Sequence, residues 1–132
     1  MLEQKFYVVI DDDKINNMVC ESVIRKLHPN NKVVSFLRAE DALVYLQNSA
    51  NPKPDIILLD INMPEMDGWE FLETYAKNTS KNEMARVFIL SSSINQADFD
   101  KAKKYPEIID YIVKPFSKDK LLRAIDMMNM IK

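Results

Sequence analysis

The chain has 132 residues, which is the usual size of one domain built around a single core. Hydrophobic residues make up 47% of the sequence and charged residues 29%, as in globular proteins. No apolar run approaches the ~20 residues that cross a bilayer, and the start of the chain lacks the apolar stretch of a secretion signal. These features predict a cytoplasmic protein without a membrane partner.

The net charge and the cysteine content exclude two further classes of protein. A formal net charge of -2 argues against direct binding to nucleic acid, although residues 101–123 include a basic cluster that we interpret as a solvated surface. Cys20 is the only cysteine, so neither an intramolecular disulfide nor a cysteine-rich zinc site can form. Cys20 falls within a helical apolar pattern and is predicted to be a small core residue. The pattern consists of Ile15, Val19, Val23 and Leu27.

Five apolar runs of strand length alternate with five segments of helical period. The predicted strands are residues 6–10, 32–36, 55–59, 86–90 and 109–113. The predicted helices are residues 14–27, 39–47, 68–78, 95–104 and a last one from 121 or earlier to 131, with Ser117 as its N-cap. Alternation of helices with strands that are apolar on both faces predicts an α/β fold, with a doubly wound five-stranded parallel sheet covered by helices on both faces.

Polar side chains follow four of these strands at the end where the chain leaves the sheet. Asp11 and Asp12 follow the first strand, Asp60 the third, Ser91 the fourth and Lys114 the fifth. Right-handed crossovers bring the carboxyl ends of parallel strands to one edge of the sheet. We therefore expect one site rather than four unrelated features.

The residue types at this edge indicate phosphoryl transfer assisted by a metal ion. Carboxylates suit Mg²⁺, and Mn²⁺ is an acceptable substitute. Two carboxylates ~4 Å apart repel by about 4 kcal/mol at an effective dielectric constant of about 20, so three of them need a cation or a raised pKa. Lys114 and Ser91 can neutralise and bond phosphoryl oxygens. Asp60 is left as a nucleophile of the type that forms aspartyl phosphates.

Four segments resemble the motifs of one known family. Residues 9–13, 58–68, 90–92 and 110–116 match in turn the acidic pair, the phosphoacceptor motif, the Thr/Ser position and the Lys-Pro motif of response-regulator receiver domains in two-component signalling. The resemblance extends from Tyr7 to the carboxyl terminus and is strongest to the single-domain, chemotaxis-regulator type. It implies a flavodoxin-like sheet of strand order 2-1-3-4-5 and one receiver domain over residues 1–132, without an output domain.

The resemblance also implies a role for each residue of the site. Asp60 would accept a phosphoryl group from a histidine kinase or a histidine phosphotransfer protein. Asp12 and Asp60 would bind Mg²⁺ directly, Asp11 mainly through water, and Asn62 through its backbone carbonyl. Lys114 would pair with the phosphoryl group.

A conformational switch is implied as well. Ser91 would move to bond the phosphoryl group, and Tyr111 would then turn inward. This change would alter the face built from the fourth helix, the fifth strand and the fifth helix, where an unidentified downstream protein binds. Self-phosphorylation from a phosphodonor and autodephosphorylation are expected, but not enzymatic turnover.

The sequence departs from the family pattern at three places. Ile108 and Ile109 replace the small residues that typically precede the Asp110-Tyr111 pair, which leaves the approach to the fifth strand open. Ser91 stands where threonine is more usual, and Ser92 where alanine is common and access to the phosphate can be gated. Neither serine removes a required functional group.

Each feature also has a simpler interpretation. Residues 11–13 could be only N-cap and first-turn acids of the first helix, Asp60 could only cap a turn, and Tyr111 could be only a packed strand residue. A Mg²⁺-dependent phosphohydrolase of the haloacid dehalogenase type uses similar residues, but it needs its nucleophile on the first strand and a second carboxylate where Asn62 stands. A nucleotide-binding loop is disfavoured because Gly68 is the only glycine.

Overall fold

A computed structural model describes residues 3–130 of the chain. Five strands alternate with five α-helices, and one short 3₁₀ helix spans Lys81–Glu83. The strands are β1 (Phe6–Ile10), β2 (Lys32–Phe36), β3 (Ile56–Asp60), β4 (Arg86–Ser91) and β5 (Ile108–Val113). The helices are α1 (Lys14–Leu27), α2 (Ala39–Gln47), α3 (Gly68–Asn78), α4 (Gln96–Ala102) and α5 (Lys118–Met130).

The sheet is parallel throughout, with the strand order β2-β1-β3-β4-β5. This order and the alternation of helices with strands confirm the predicted doubly wound α/β fold. All strands point the same way, so their carboxyl ends meet at one edge, which we call the acidic edge after Asp11, Asp12 and Asp60. None of the helices within residues 3–130 is long and apolar enough to cross a membrane.

The strands are apolar on both faces because each face packs under helices. One cluster joins Val8, Leu59 and Ile89 to residues of α2 and α3, whereas the other joins Val9 and Leu58 to residues of α1 and α5. Burial of such side chains stabilises the fold by roughly 1.5–3 kcal/mol each. The continuous apolar strands that predicted a parallel sheet are therefore the middle layer of the molecule.

Most element boundaries agree with the predicted ones, and those of β3, β4, α4 and β5 differ. β3 is shifted by one residue so that Asp60 is its last residue, and β4 continues to Ser91. Helix α4 is shorter than predicted, since Asn95 is its N-cap and the amides of Lys104 and Tyr105 bond to carbonyls only three residues earlier. Helix α5 begins at Lys118, where Ser117 Oγ accepts a hydrogen bond from the amide of Lys120 as an N-cap does; the predicted end at 131 lies outside the described residues.

The departure at Ile108 and Ile109 coincides with an irregularity in the sheet. The register between β4 and β5 shifts there, because Val87 pairs with Ile108 and the next residue, Phe88, pairs with Asp110. Such a bulge leaves one residue unpaired. Ile109 is that residue, and β5 accordingly starts one residue earlier than predicted.

The apolar pattern of α1 was a partly wrong guide to its buried face. Cys20 is buried, as predicted, together with Asn16, Asn17 and Ile24. Ile15, however, is 73% exposed. Val19 is also exposed, so the first turns of α1 turn two asparagines toward the sheet and an apolar surface toward solvent.

Candidate functional site

The structure brings the predicted polar residues together at the acidic edge. Asp11 directly follows β1, Asp60 ends β3, Ser91 ends β4 and Lys114 directly follows β5. A carboxylate oxygen from each of Asp11, Asp12 and Asp60 lies within 4.8 Å of the others. These three carboxylates therefore form one spatial cluster, and Lys114 lies near two of them.

Asp11 is fully buried and is the most heavily bonded residue of the cluster. Its Oδ2 accepts a hydrogen bond from Asn16 Nδ2 at 2.6 Å and lies 2.8 Å from Lys114 Nζ. Its Oδ1 accepts from the amide of Asp13 at 2.9 Å. A buried carboxylate requires such partners, because an unpaired charge away from water is costly.

The neighbouring aspartates have different environments. Asp13 is the N-cap of α1, since its side chain accepts hydrogen bonds from the amides of Ile15 and Asn16. Asp12 makes no such bond within the described residues and is exposed. The N-cap interpretation is correct for Asp13 and not for Asp11 or Asp12.

Asp60 is buried, and the loop after it is held against helix α3. Its Oδ1 accepts a hydrogen bond from the amide of Asn62 at 2.9 Å, and its Oδ2 lies 3.6 Å from Lys114 Nζ. The amide of Gly68 donates to the carbonyl of Ile61 at 3.2 Å. A Cβ on Gly68 would lie 2.7 Å from Ile61 Cα, so the close approach requires glycine.

The electrostatics of the cluster reflect excess negative charge. Burial raises the pKa of Asp60 to about 6, and the nearby Asp11 adds to the rise, against the effects of the Asn62 amide and of Lys114. Burial alone would lower the pKa of Lys114, but its hydrogen bond and attraction to Asp11 and its attraction to Asp60 raise that pKa overall. One lysine thus shares its charge between two carboxylates.

The donor set matches a hard divalent cation. Three carboxylates converge, and the atoms that they offer to a metal ion are all oxygens. Among the described residues, Lys114 is the one cation that pairs with them. Oxygen-only ligands that include few protein groups are the preference of Mg²⁺, which retains water. These residues fit Mg²⁺ on chemistry.

Ser91 and Tyr111 lie where the sequence placed them, but the structure does not join them to the cluster directly. The buried Ser91 hydroxyl donates to the carbonyl of Ser93 and accepts from the amide of Ser93. Its donor and acceptor capacity are therefore both used by the loop after β4. Tyr111 is half-buried and packs edge to face on Phe99 of α4, with ring centroids 4.7 Å apart. The aromatic side chain thus links β5 to α4.

Sequence reasoning missed Asn16 and Asn17 as residues of the site. Asn16 bonds the Asp11 carboxylate, and Asn17 Nδ2 donates to the Asp11 carbonyl at 3.0 Å. The sequence of the helix carries no clear signal for them, because asparagine is seldom buried unless it has hydrogen-bond partners, and their partner Asp11 can be recognised only in the folded chain. The apolar pattern of Ile15 and Val19 favoured the opposite face of α1.

Comparison with known proteins assigns a class to this fold and cluster. Residues 7–126 match the family described as Response regulator receiver domain, and the chain belongs to that family. It is 33% identical over 120 residues to "Chemotaxis protein CheY" of Listeria monocytogenes, covering 90% of this chain and 93% of that protein. It is 36% identical over 119 residues to "Protein PilG" of Pseudomonas aeruginosa, covering 89% and 82%.

A solved structure supports the same assignment. The two-component response regulator from Cytophaga hutchinsonii superposes with a TM-score of 0.83 at 29% identity, covering 96% of this chain and 99% of that one. The family match gives no support to the phosphohydrolase alternative. The chain is thus similar to response regulators of chemotaxis and two-component signalling.

Proposed function

We propose that this receiver domain takes a phosphoryl group onto Asp60 from the phosphohistidine of a histidine kinase or a histidine phosphotransfer protein, with Mg²⁺ as cofactor and Mn²⁺ as a substitute. The observation that carries the proposal is the meeting of three carboxylates within 4.8 Å, two of them within reach of Lys114. The proposed setting is the cytoplasm, with no direct binding to nucleic acid or membrane.

The transfer step is a displacement at phosphorus. A carboxylate oxygen of Asp60 attacks the phosphorus, the bond from phosphorus to the imidazole nitrogen breaks, and its electron pair stays on that nitrogen, which takes up a proton. Asp11, Asp12, Asp60 and the backbone carbonyl of Asn62 would hold the Mg²⁺. When bound, the ion supplies positive charge that offsets the charge on the phosphoryl oxygens.

Residues of the chain supply the remaining functions. The ammonium of Lys114 already lies 2.8 Å from Asp11 and 3.6 Å from Asp60, so a phosphoryl group on Asp60 would come within its reach. Asn16 keeps the Asp11 carboxylate oriented while Lys114 changes partner. Ser91 would exchange its bonds to Ser93 for one to the phosphoryl group.

The first turns of α1 support a place for the phosphodonor. Ile15 and Met18 are 73% and 61% exposed, and Val19 extends the same apolar surface along the helix that begins directly after Asp13. Exposed apolar patches of this kind mark protein interfaces. A phosphodonor docked there would present its phosphohistidine to Asp60. The receiver domain would then act by binding its phosphodonor and not by enzymatic turnover.

The acceptor is tested with a small donor. Incubation with phosphoramidate, whose phosphorus–nitrogen bond imitates phosphohistidine, and Mg²⁺ should add one phosphoryl group to the intact mass of the protein. Asp60→Asn should abolish the addition, and chelation of Mg²⁺ should prevent it in the parent.

Asp41→Asn is the matched control, because Asp41 is an exposed carboxylate of α2 that is not part of the cluster of Asp11, Asp12 and Asp60. It should be phosphorylated like the parent. An adduct that persists in Asp60→Asn would place the acceptor elsewhere and overturn the proposal.

A further inference from the structure

A groove with a mainly apolar lining lies at the opposite end of the sheet from the acidic edge. It is a groove of about 630 Å³ where β4 and β5 begin, bordered by the end of α3, the 3₁₀ helix and the loop between α4 and β5. We call it the basal groove. Its volume is within the range of known ligand sites, about 300–1,000 Å³.

The floor of the basal groove is apolar. Met84, Ala85, Tyr105 and Ile109 line it, and Met84, Tyr105 and Ile109 are only partly buried although each packs against the core. Apolar side chains left accessible in a concave surface gain free energy when a ligand covers them. The floor therefore favours an occupant with apolar side chains.

The rim of the groove is basic. Lys81, Arg86 and Lys104 line it, and none of them forms an ion pair within residues 3–130. The remaining rim pair, Lys77 and Glu73, is internally neutralised at 3.3 Å. Three cations without an ion-pair partner outnumber the one further carboxylate of the groove, that of Glu107, so the lining is complementary to an occupant that carries negative charge.

Glu107 adds a third requirement. It lines the groove, and its Oε2 is buried without a hydrogen-bond partner in the described part of the chain. A buried acceptor without a donor costs free energy, and Glu107 as a whole is only half-buried, so an N–H group of an occupant would offset this cost by donating to its less enclosed oxygen, Oε1. An occupant that offers a donor to the floor is therefore favoured over one that offers only acceptors.

We propose that the basal groove binds an acidic peptide segment of a partner protein, in which apolar and acidic residues alternate. The apolar side chains would cover Met84 and Ile109, the carboxylates would meet Lys81, Arg86 and Lys104, and a backbone N–H would donate to Glu107. A fatty acid or other simple carboxylate meets the first two requirements but offers no donor. This surface lies away from the acidic edge and from Tyr111, so it is independent of the proposed phosphoryl transfer.

The probe is an acetylated and amidated hexapeptide that alternates aspartate with leucine, added to the full chain and followed by amide chemical shifts. The largest shifts should fall on Met84, Tyr105 and Glu107. Trp69 provides a second signal, because its ring stacks on Tyr105 with centroids 6.1 Å apart and it is the only tryptophan. Its fluorescence should change with the same dissociation constant.

Charge reversal separates the rim from general electrostatics. Lys81→Glu combined with Lys104→Glu should raise the dissociation constant about tenfold, because two attractions become repulsions. Lys26→Glu combined with Lys118→Glu is the matched control, since both lysines are exposed outside the groove on α1 and α5. The control should leave the dissociation constant within about twofold, and thermal unfolding checks that both variants fold.

Two further probes, a basic peptide and anionic vesicles, give the results that would contradict the proposal. A hexapeptide that alternates lysine with leucine should bind at least about tenfold more weakly, as like charges meet at the rim. Equal binding of both peptides, or shifts confined to the acidic edge, would overturn the proposal. Vesicles of anionic phosphatidylglycerol that bind through Lys81 and Lys104 while the acidic peptide does not would show a membrane surface instead and would also overturn it.

Discussion

Asp11, Asp12 and Asp13 are consecutive, yet each has a different environment. A shift of one position along the chain is enough to change it. Asp11 is still beside the sheet and is buried against Lys114, Asp12 faces solvent, and Asp13 caps the next helix. The same side chain is thus an ion-pair partner, an exposed charge and a cap. Their removal should have correspondingly different consequences for stability.

Asp12→Ala should unfold at the same temperature as the parent or a higher one in metal-free buffer, because it removes a charge that repels Asp11 and Asp60. Mg²⁺ at about ten times its dissociation constant should stabilise the parent by about 1.4 kcal/mol through binding to the folded state. The variant should gain clearly less. Thermal unfolding with and without Mg²⁺ measures both effects.

Asp13→Ala is the control for that measurement. Loss of an N-cap costs roughly 0.5–2 kcal/mol, and this loss should appear equally with and without Mg²⁺. A large loss of metal-free stability in Asp12→Ala would contradict the separation of roles.

Glu107 predicts a pH dependence of stability. Burial raises the pKa of its carboxyl group, so the folded state binds the proton more tightly than the unfolded state does. The ionised form is therefore destabilising above the raised pKa, and this cost disappears as the pH falls below the unfolded value of about 4.3. Glu107→Gln should unfold at a higher temperature than the parent at pH 7, and the difference should shrink toward pH 4.

Glu83→Gln is the comparison, since Glu83 is an exposed glutamate in the adjacent 3₁₀ helix. It should change the unfolding temperature little at either pH. A difference between parent and Glu107→Gln that grows toward pH 4 would have the wrong sign for a raised pKa.

At the scale of elements, helix α3 is placed against the end of β3 by one glycine. Gly68 begins α3, and its missing side chain allows contact with the backbone of Asp60 and Ile61. Asp67 caps the same helix through a reciprocal capping box with Glu70. The position of α3 and that of the acceptor loop are therefore fixed together.

Gly68→Ala should lower the free energy of unfolding by roughly 1–3 kcal/mol, since the added Cβ would meet backbone atoms that cannot yield by rotating a side chain. It should also slow phosphorylation by phosphoramidate, because Ile61 follows Asp60 directly. Chemical denaturation and the rate of mass increase measure the two effects. Glu73→Ala, an exposed change on the same helix, should leave the phosphorylation rate unaltered.

The two isoleucines that depart from the family pattern, Ile108 and Ile109, are accommodated at the start of β5. Ile109 is absorbed by the bulge opposite β4, so that Tyr111 packs toward the cluster of α2 and α3 and Ile112 toward that of α1 and α5. A bulge changes which face each later residue occupies. The aromatic residue at the proposed switch position is oriented by this irregularity.

At the scale of the whole molecule, the acidic edge and the face of α4, β5 and α5 are joined through the ends of two strands. Ser91 ends β4 and pairs with Val113 at the end of β5, and the amide of Lys114 donates to the Ser91 carbonyl at 2.9 Å. Phe99 on α4 packs on Tyr111. A phosphoryl group can shift two arrangements of this face only by its differential affinity for them, and inverting a 1:99 population takes about 5.5 kcal/mol.

Beryllofluoride, which imitates the phosphoryl group on Asp60, should therefore shift amide resonances at Tyr111 and Phe99 as well as at the acidic edge. Ser91→Ala should still bind beryllofluoride but should mute the distant shifts, because its hydroxyl is the proposed link. Ser92→Ala, an exposed neighbour, should retain them. A response confined to Asp11, Asp12, Asp60 and Lys114 in the parent would rule out the switch.

Much of the site was predictable because its residues are tied to strand ends. Asp11, Asp60, Ser91 and Lys114 each stand at the point where an apolar run stops, and parallel strands leave no freedom about the edge at which those points meet. Asn16 and Asn17 were not predictable in this way. Their burial depends on the rotation of α1 against the sheet, and the local apolar pattern favoured the opposite rotation.

The sequence by itself determined the α/β class, the alternation of elements and the residues that gather at one edge, because periodicity and strand-end position are local properties of the chain. Only the tertiary structure decided which of three aspartates is buried, which face of α1 meets the sheet, and where Ile109 is bulged out of register. It alone placed Glu107 Oε2, which has no hydrogen-bond partner within residues 3–130, in the groove that Lys81, Arg86 and Lys104 also line. Burial and charge pairing depend on residues far apart along the chain, and these meet only when the sheet and its helices have packed.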